Sequence, residues 1–155
     1  MAFHRSPIAD VPASIGAGLA AEAALEVRAL LVQHRDRQHQ LLLVEDNAIA
    51  RTALARVLGM EGWSVITAVN GADGLAQMYG GLSPDVILTD YMMPRLDGVA
   101  MVGAIRQDES LPSPPAILVT AHDLPPERYT QFHALLKKPF DPRELQSLLG
   151  HLAHG

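Results

Sequence analysis

Residues 86–98 read VILTDYMMPRLDG. An apolar, β-branched run ends on a carboxylate, Asp90, and Pro94 and Gly98 then prevent the strand from continuing. Ser83-Pro84 breaks the chain just before it. A run this apolar, without polar alternation, is a strand buried on both faces. The same unit recurs on either side. Leu41–Val44 ends in Glu45-Asp46, Ser64–Val69 precedes an Asn70-Gly71 turn signal, Ala116–Val119 ends in Thr120, and Ala134–Lys137 ends in Lys138-Pro139. Helical stretches follow from Ile49 to Met60, Ala72 to Tyr79 and Val99 to Gln107. A short one is expected near Glu127–His133, and a last one runs from Asp141 or Pro142 to Leu152. Five βα units in succession predict an α/β domain, a parallel sheet with helices on both faces and right-handed crossovers.

Composition agrees with such a domain. The 155 residues suit one core of ordinary size. The absence of cysteine excludes a disulfide framework and a thiolate zinc site. A formal charge of −5 argues against nucleic acid as a direct partner. No run of 18 apolar residues is present, so no membrane span is expected. Asp10 and Glu22 interrupt the apolar N-terminal stretch, which speaks against a signal peptide. A cytoplasmic location is the expectation.

Residues 1–38 read as a separate tail and helix, and 39–155 as the domain. Ser14 is a candidate N-cap for a helix reaching Arg37. Ile15, Leu19, Ala23, Val27, Leu30 and Leu31 fall on one side of it. This helix could pack on the domain or pair between two chains as a homodimer.

Ligands of open parallel sheets sit beyond the carboxyl ends of the strands. Those ends carry Glu45, Asp46, Asp90, Thr120 and Lys138. Three carboxylates suit Mg²⁺, a hard cation that keeps coordination positions for phosphate. A lysine supplies a point charge to a phosphoryl oxygen, and an aspartate beside a metal can act as nucleophile. Phosphoryl transfer needs chiefly this: positioning, and cations set against spreading negative charge. Singly, each residue has an ordinary reading as well. Acids at strand ends also cap helices or close turns, Thr120 is β-branched, and adjacent lysines are often a solvated pair.

The ordered set LLLVEDN, VILTDYMMPRLDG, ILVTA and KKPF resembles the receiver domain of bacterial two-component response regulators, of the chemotaxis single-domain type. It spans about residues 41–152. The spacings, 44 residues from Asp46 to Asp90 and 30 from Asp90 to Thr120, fit that family. The resemblance implies a flavodoxin-like five-stranded sheet in the order 2-1-3-4-5. It also implies that Asp90 accepts a phosphoryl group from a phosphohistidine on a histidine kinase or phosphotransfer protein. Asp46, Asp90 and the backbone carbonyl of Met92 would hold Mg²⁺, with Glu45 acting through a water. Lys138 would contact a phosphoryl oxygen, Thr120 would swing its hydroxyl to the phosphate, and Pro139 would follow a cis bond. Such a protein is a switch, with no enzyme activity beyond its own phosphorylation and slow dephosphorylation.

Two departures from the family stand out. The switch position three before Lys138, usually aromatic, is Leu135, which can neither stack nor offer a hydroxyl. Thr120 and Lys138 are only 18 residues apart, about one helical turn short. The helix of the fourth unit should therefore be short or partly unwound, started by Pro125-Pro126, and the usual signalling face altered. Met92 and His122 flank the path of attacking water and are candidates for tuning phosphoryl lifetime. Met92, Met93 and Met101 otherwise read as packing residues, and Trp63 as partly buried. His34 and His39 lack an adjacent acid, so no phosphoaccepting histidine is expected.

With three residues after Leu152, output is expected to pass through an unidentified protein partner. The alternatives are a receiver piece of a hybrid histidine kinase and an aspartate-nucleophile phosphatase, whose usual second Asp is replaced here by Met92. Finally, the only two lysines are adjacent, Lys137 and Lys138, against ten arginines. A compact ammonium is evidently wanted at one of those positions, where a planar guanidinium would crowd.

Overall fold

The computed structural model describes residues 20–29 and 38–154. The chain divides between Gln38 and His39 into two units. In the first, residues 20–29 form helix α1, in which Leu25 is 66% exposed and Val27, expected on the packed face, 48% exposed. Ile15, Leu19, Leu30 and Leu31 lie outside the described residues.

The second unit is one parallel sheet of β1 (Gln40–Val44), β2 (Ser64–Ala68), β3 (Val86–Asp90), β4 (Ala116–Thr120) and β5 (Ala134–Lys137), in the order β2-β1-β3-β4-β5. The middles of the central strands are apolar because the pleat sends their side chains alternately into two cores. Leu41, Leu43, Leu88 and Ile117 enter one with Leu58 of α2 (Ala48–Met60) and Leu145 and Leu149 of α5 (Pro142–His154). Leu42, Val44 and Ile87 enter the other with Met78 of α3 (Gly71–Tyr79) and Met101 and Ile105 of α4 (Gly98–Gln107). The edge strands β2 and β5 are only partly buried. Trp63, just before β2, is half-buried against the first core, as expected.

The helices after β1, β2 and β3 each open on a side-chain cap. The Asn47 side chain accepts from Ala50 N–H, Asn70 from Asp73 N–H and Asp97 from Ala100 N–H, at 2.9, 2.8 and 2.7 Å. The caps fix where α2, α3 and α4 leave the carboxyl edge of the sheet. Asn70-Gly71 is thus not a free turn but the cap and first residue of α3. Gly71 is required there because a Cβ would stand 2.3 Å from the Leu96 carbonyl oxygen.

The β4–β5 connection carries the largest departure from regular α/β geometry. The helix expected near Glu127–His133 is a single 3₁₀ turn, Pro126–Arg128. The chain cannot wind further because it is already engaged towards β5. Phe132 packs into the second core, and His133 N–H donates to the Ala116 carbonyl at 2.8 Å. The 18-residue spacing had implied such a shortened element. Met93 and Met101 pack as expected, but Met92 is 57% exposed. It lies in the bend after β3, where the backbone has already left the sheet. The Lys138–Pro139 bond is cis. Among the described residues no helix is long and apolar enough to cross a membrane.

Candidate functional site

β1 and β3 are neighbours in register, Val44 level with Thr89. The residues after their apolar runs therefore meet at one end of the sheet. Glu45, Asp46 and Asp90 offer carboxylate oxygens within 4.8 Å of one another, the one such group among the described residues. Their environments differ: Glu45 is buried, Asp90 half-buried and Asp46 exposed. Burial, reinforced by the hydrogen bond to Asp90 and its negative charge, pushes Glu45 up to about 7. Three carboxylates gathered this closely leave the cluster short of positive charge. Hard oxygen donors with that deficit fit Mg²⁺.

β5 brings the opposing charge. Lys138 Nζ stands 3.3 Å from Asp90 Oδ2. Lys137 instead pairs with Asp123 of the β4–β5 connection. The Lys138 N–H also donates to the Thr120 carbonyl at 2.9 Å, joining β5 to the end of β4 at the rim.

Asp90 is held through its backbone as well. Its Oδ1 accepts from the Tyr91 N–H at 3.0 Å, and its carbonyl accepts from Thr89 Oγ1 at 2.9 Å. Gly98 packs against that carbonyl so closely that a Cβ would lie 2.1 Å from it. Its N–H donates to the Tyr91 carbonyl at 2.8 Å, closing the loop after β3. Arg95 in that loop takes a positive φ of 71°. Met92 follows Tyr91 in the same bend.

Thr120 is 1% exposed, and its hydroxyl accepts from the His122 N–H at 3.0 Å. His122 itself is exposed. Leu135 is half-buried on β5, level with Leu118. Two side chains that sequence reasoning passed over also bear on the site. Arg128 Nη2 donates to the Tyr91 hydroxyl at 3.0 Å, linking the β4–β5 connection to the residue after Asp90. Adjacency to Asp90 could have drawn attention to Tyr91. Nothing in the sequence singles out Arg128, because the contact depends on the path of the shortened connection.

A cleft of about 370 Å³ opens beside these groups between α2 and α5. Leu54, Leu58, Val119 and Phe140 line it, and Glu45, Asp90 and Lys138 close one end.

Residues 41–150 match the family described as the response regulator receiver domain. A probable transcriptional regulator, ycf27, of Cyanidium caldarium is 36% identical over 115 residues, 72% of this chain and 45% of that protein. Protein PilG of Pseudomonas aeruginosa is 31% identical over 110 residues, 68% of this chain and 81% of its own length. The chain spans about half the length of the first curated relatives it matches. Response regulator protein TrrA of Thermotoga maritima, solved in complex with Mg(2+)-BeF, is similar with a TM-score of 0.65 and 28% identity, over 74% of this chain and 99% of that one. The chain belongs to the receiver-domain family of two-component response regulators.

Proposed function

We propose that Asp90 is the phosphoryl acceptor of a phosphorylation-dependent switch, charged by a phosphohistidine on a histidine kinase or phosphotransfer protein. The observation that carries this reading is the Lys138 ammonium 3.3 Å from Asp90 Oδ2, at the edge of a three-carboxylate cluster. An Asp90 oxygen forms a bond to phosphorus as the donor's phosphorus–nitrogen bond breaks, and the imidazole leaves as a neutral ring, the proton already on its other nitrogen staying with it. Lys138 balances charge gathering on the phosphoryl oxygens. Glu45, Asp46 and Asp90 would hold Mg²⁺, with the Met92 carbonyl as a further ligand. The ion supplies positive charge to the phosphoryl group when bound. Thr120 gives up the His122 N–H when its hydroxyl turns to the phosphoryl group, and so reports phosphorylation to the β4–β5 connection. Met92 and His122, both exposed, border the approach of water and set how long the acyl phosphate lasts. The similarity to TrrA, solved with Mg(2+)-BeF, supports the metal assignment.

A phosphatase reading lacks a general acid, since Met92 stands two residues after Asp90. Incubation with Mg²⁺ and acetyl phosphate tests the proposal. Wild type gains one phosphoryl group by intact mass, and Asp90→Asn gains none. Phosphorylation of the variant at the same rate would overturn it. Partners captured by wild type but not by Asp90→Ala, with donor and Mg²⁺ present, identify the output.

A further inference from the structure

The β4–β5 connection, residues 121–133, has no helix to hold it against the domain beyond the turn Pro126–Arg128. Near the site it is held by discrete polar ties instead. The His122 N–H bonds Thr120 Oγ1, Asp123 pairs with Lys137, and Arg128 donates to the Tyr91 hydroxyl. Only the last of these reaches β3's end, and it reaches the residue joined to the acceptor.

Tyr91 is fixed at its root. Its N–H is shared between Asp90 Oδ1 at 3.0 Å and the Val119 carbonyl at 3.1 Å, and its carbonyl accepts from Gly98 N–H at 2.8 Å. A phosphoryl group on Asp90 takes its carboxylate out of this shared bond and loosens one of the three anchors of the Tyr91 backbone, while the tyrosine hydroxyl holds Arg128. The ring is a rigid lever from acceptor to connection. Leu135, half-buried on β5, has neither a ring nor a hydroxyl with which to play such a part.

We propose that the Tyr91–Arg128 bond is the latch that keeps the β4–β5 connection in its unphosphorylated position, and that phosphorylation of Asp90 releases it. Tyr91 and Arg128 are positioning residues here, acting through Asp90's backbone and not on the phosphoryl group. The inference rests on Asp90 being the acceptor. A contact made only in the unphosphorylated state opposes phosphorylation by its own free energy, so breaking it favours the phosphorylated conformation.

The test measures the initial rate of phosphorylation by acetyl phosphate with Mg²⁺, and hydrogen–deuterium exchange of residues 121–133. It compares wild type, Tyr91→Phe, Arg128→Ala and Arg128→Lys. In wild type, phosphorylation speeds exchange in the connection. In Tyr91→Phe and Arg128→Ala, exchange is already fast without phosphate, and phosphorylation is quicker by about two- to tenfold, the scale of one ordinary hydrogen bond at an exposed site. Arg128→Lys, which can still donate to the tyrosine, stays near wild type. Normal phosphorylation of wild type with unchanged rates and exchange in the variants would overturn the latch alone. Failure of wild type itself to take up phosphate would overturn the acceptor assignment and the latch with it.

Discussion

Lys138 Nζ stands 3.3 Å from Asp90 Oδ2, whereas the ammonium of Lys137, one residue earlier, pairs with Asp123. Consecutive residues at the end of β5 have thus been sent to different partners, one at the carboxylate cluster and one on the exposed connection. The side chain of Lys137 is 54% exposed and that of Asp123 90% exposed, so their pairing contributes little to stability.

This separation makes the lysine pair a test of the site. Lys138→Arg places a planar fork where a compact ammonium stands. Its phosphorylation rate should fall by about a hundredfold, the scale on which one stabiliser of developing charge acts. Lys137→Arg should stay within about twofold. Intact-mass time courses with acetyl phosphate separate the two, and equal loss in both would refute the division of roles.

Gly98 ties the loop after β3 to the acceptor. An added Cβ would meet the Asp90 carbonyl oxygen at 2.1 Å and Thr89 Oγ1 at 2.8 Å, and backbone cannot yield as a flexible side chain can. Gly98→Ala should cost about 2–3 kcal/mol of unfolding free energy and slow phosphorylation by moving Asp90. Gly59 in α2 has nothing within 4 Å of such a Cβ, so Gly59→Ala should gain about 0.5–1 kcal/mol. Urea unfolding of both variants checks the contrast.

Much of this arrangement is legible before folding, and the reason is local. Each strand is an apolar run that stops at a polar residue, so Asp90, Glu45-Asp46, Thr120 and Lys138 announce themselves as rim residues once a parallel sheet is inferred. The caps Asn47 and Asp97 are equally local, each an Asn or Asp just before a helical run, although neither is assigned as a cap from the sequence. Gly71 is not: Asn-Gly reads as a turn in isolation, and only the approach of the Leu96 carbonyl shows why a side chain is forbidden. The tie between Tyr91 and Arg128 joins residues 37 apart. It exists because Phe132 and His133 are already drawn towards β5, leaving one 3₁₀ turn in place of a helix. The exposure of Met92 likewise follows from the bend after β3, since its apolar character alone suggested packing.

The carboxylate cluster should make stability depend on pH with an unusual sign. Glu45 is raised from 4.5 to about 7, first by burial and then by Asp90. The folded state therefore binds more protons than the unfolded state across that interval, and stability falls as pH rises from about 4.5 to about 7. A divalent cation reverses the penalty, because it favours the ionised carboxylates. Melting curves in EDTA should shift down between pH 5 and pH 8, and Mg²⁺ should raise the melting temperature more at pH 8 than at pH 6. Apparent Mg²⁺ affinity should be about tenfold weaker at pH 6 than at pH 8. Glu45→Gln should flatten both dependences, and an unchanged pH slope in that variant would show that another group is responsible.

Thr120 offers the cleanest separation of accepting phosphate from responding to it. Its hydroxyl is buried and accepts the His122 N–H at 3.0 Å. Thr120→Val nearly preserves shape but removes the acceptor, so it should cost about 0.5–1.5 kcal/mol for the hydrogen bond lost. Asp90, Lys138 and the carboxylates keep their places, and the variant should still take up a phosphoryl group. What it should lose is the part of the exchange response next to His122, because no hydroxyl moves from the His122 N–H to the phosphoryl group, while release of Arg128 by Tyr91 persists. Thr120→Ser, which keeps the hydroxyl, should retain both. If Thr120→Val is phosphorylated and its connection still responds in full, the signal leaves Asp90 without the Thr120 hydroxyl, as the Tyr91–Arg128 tie allows.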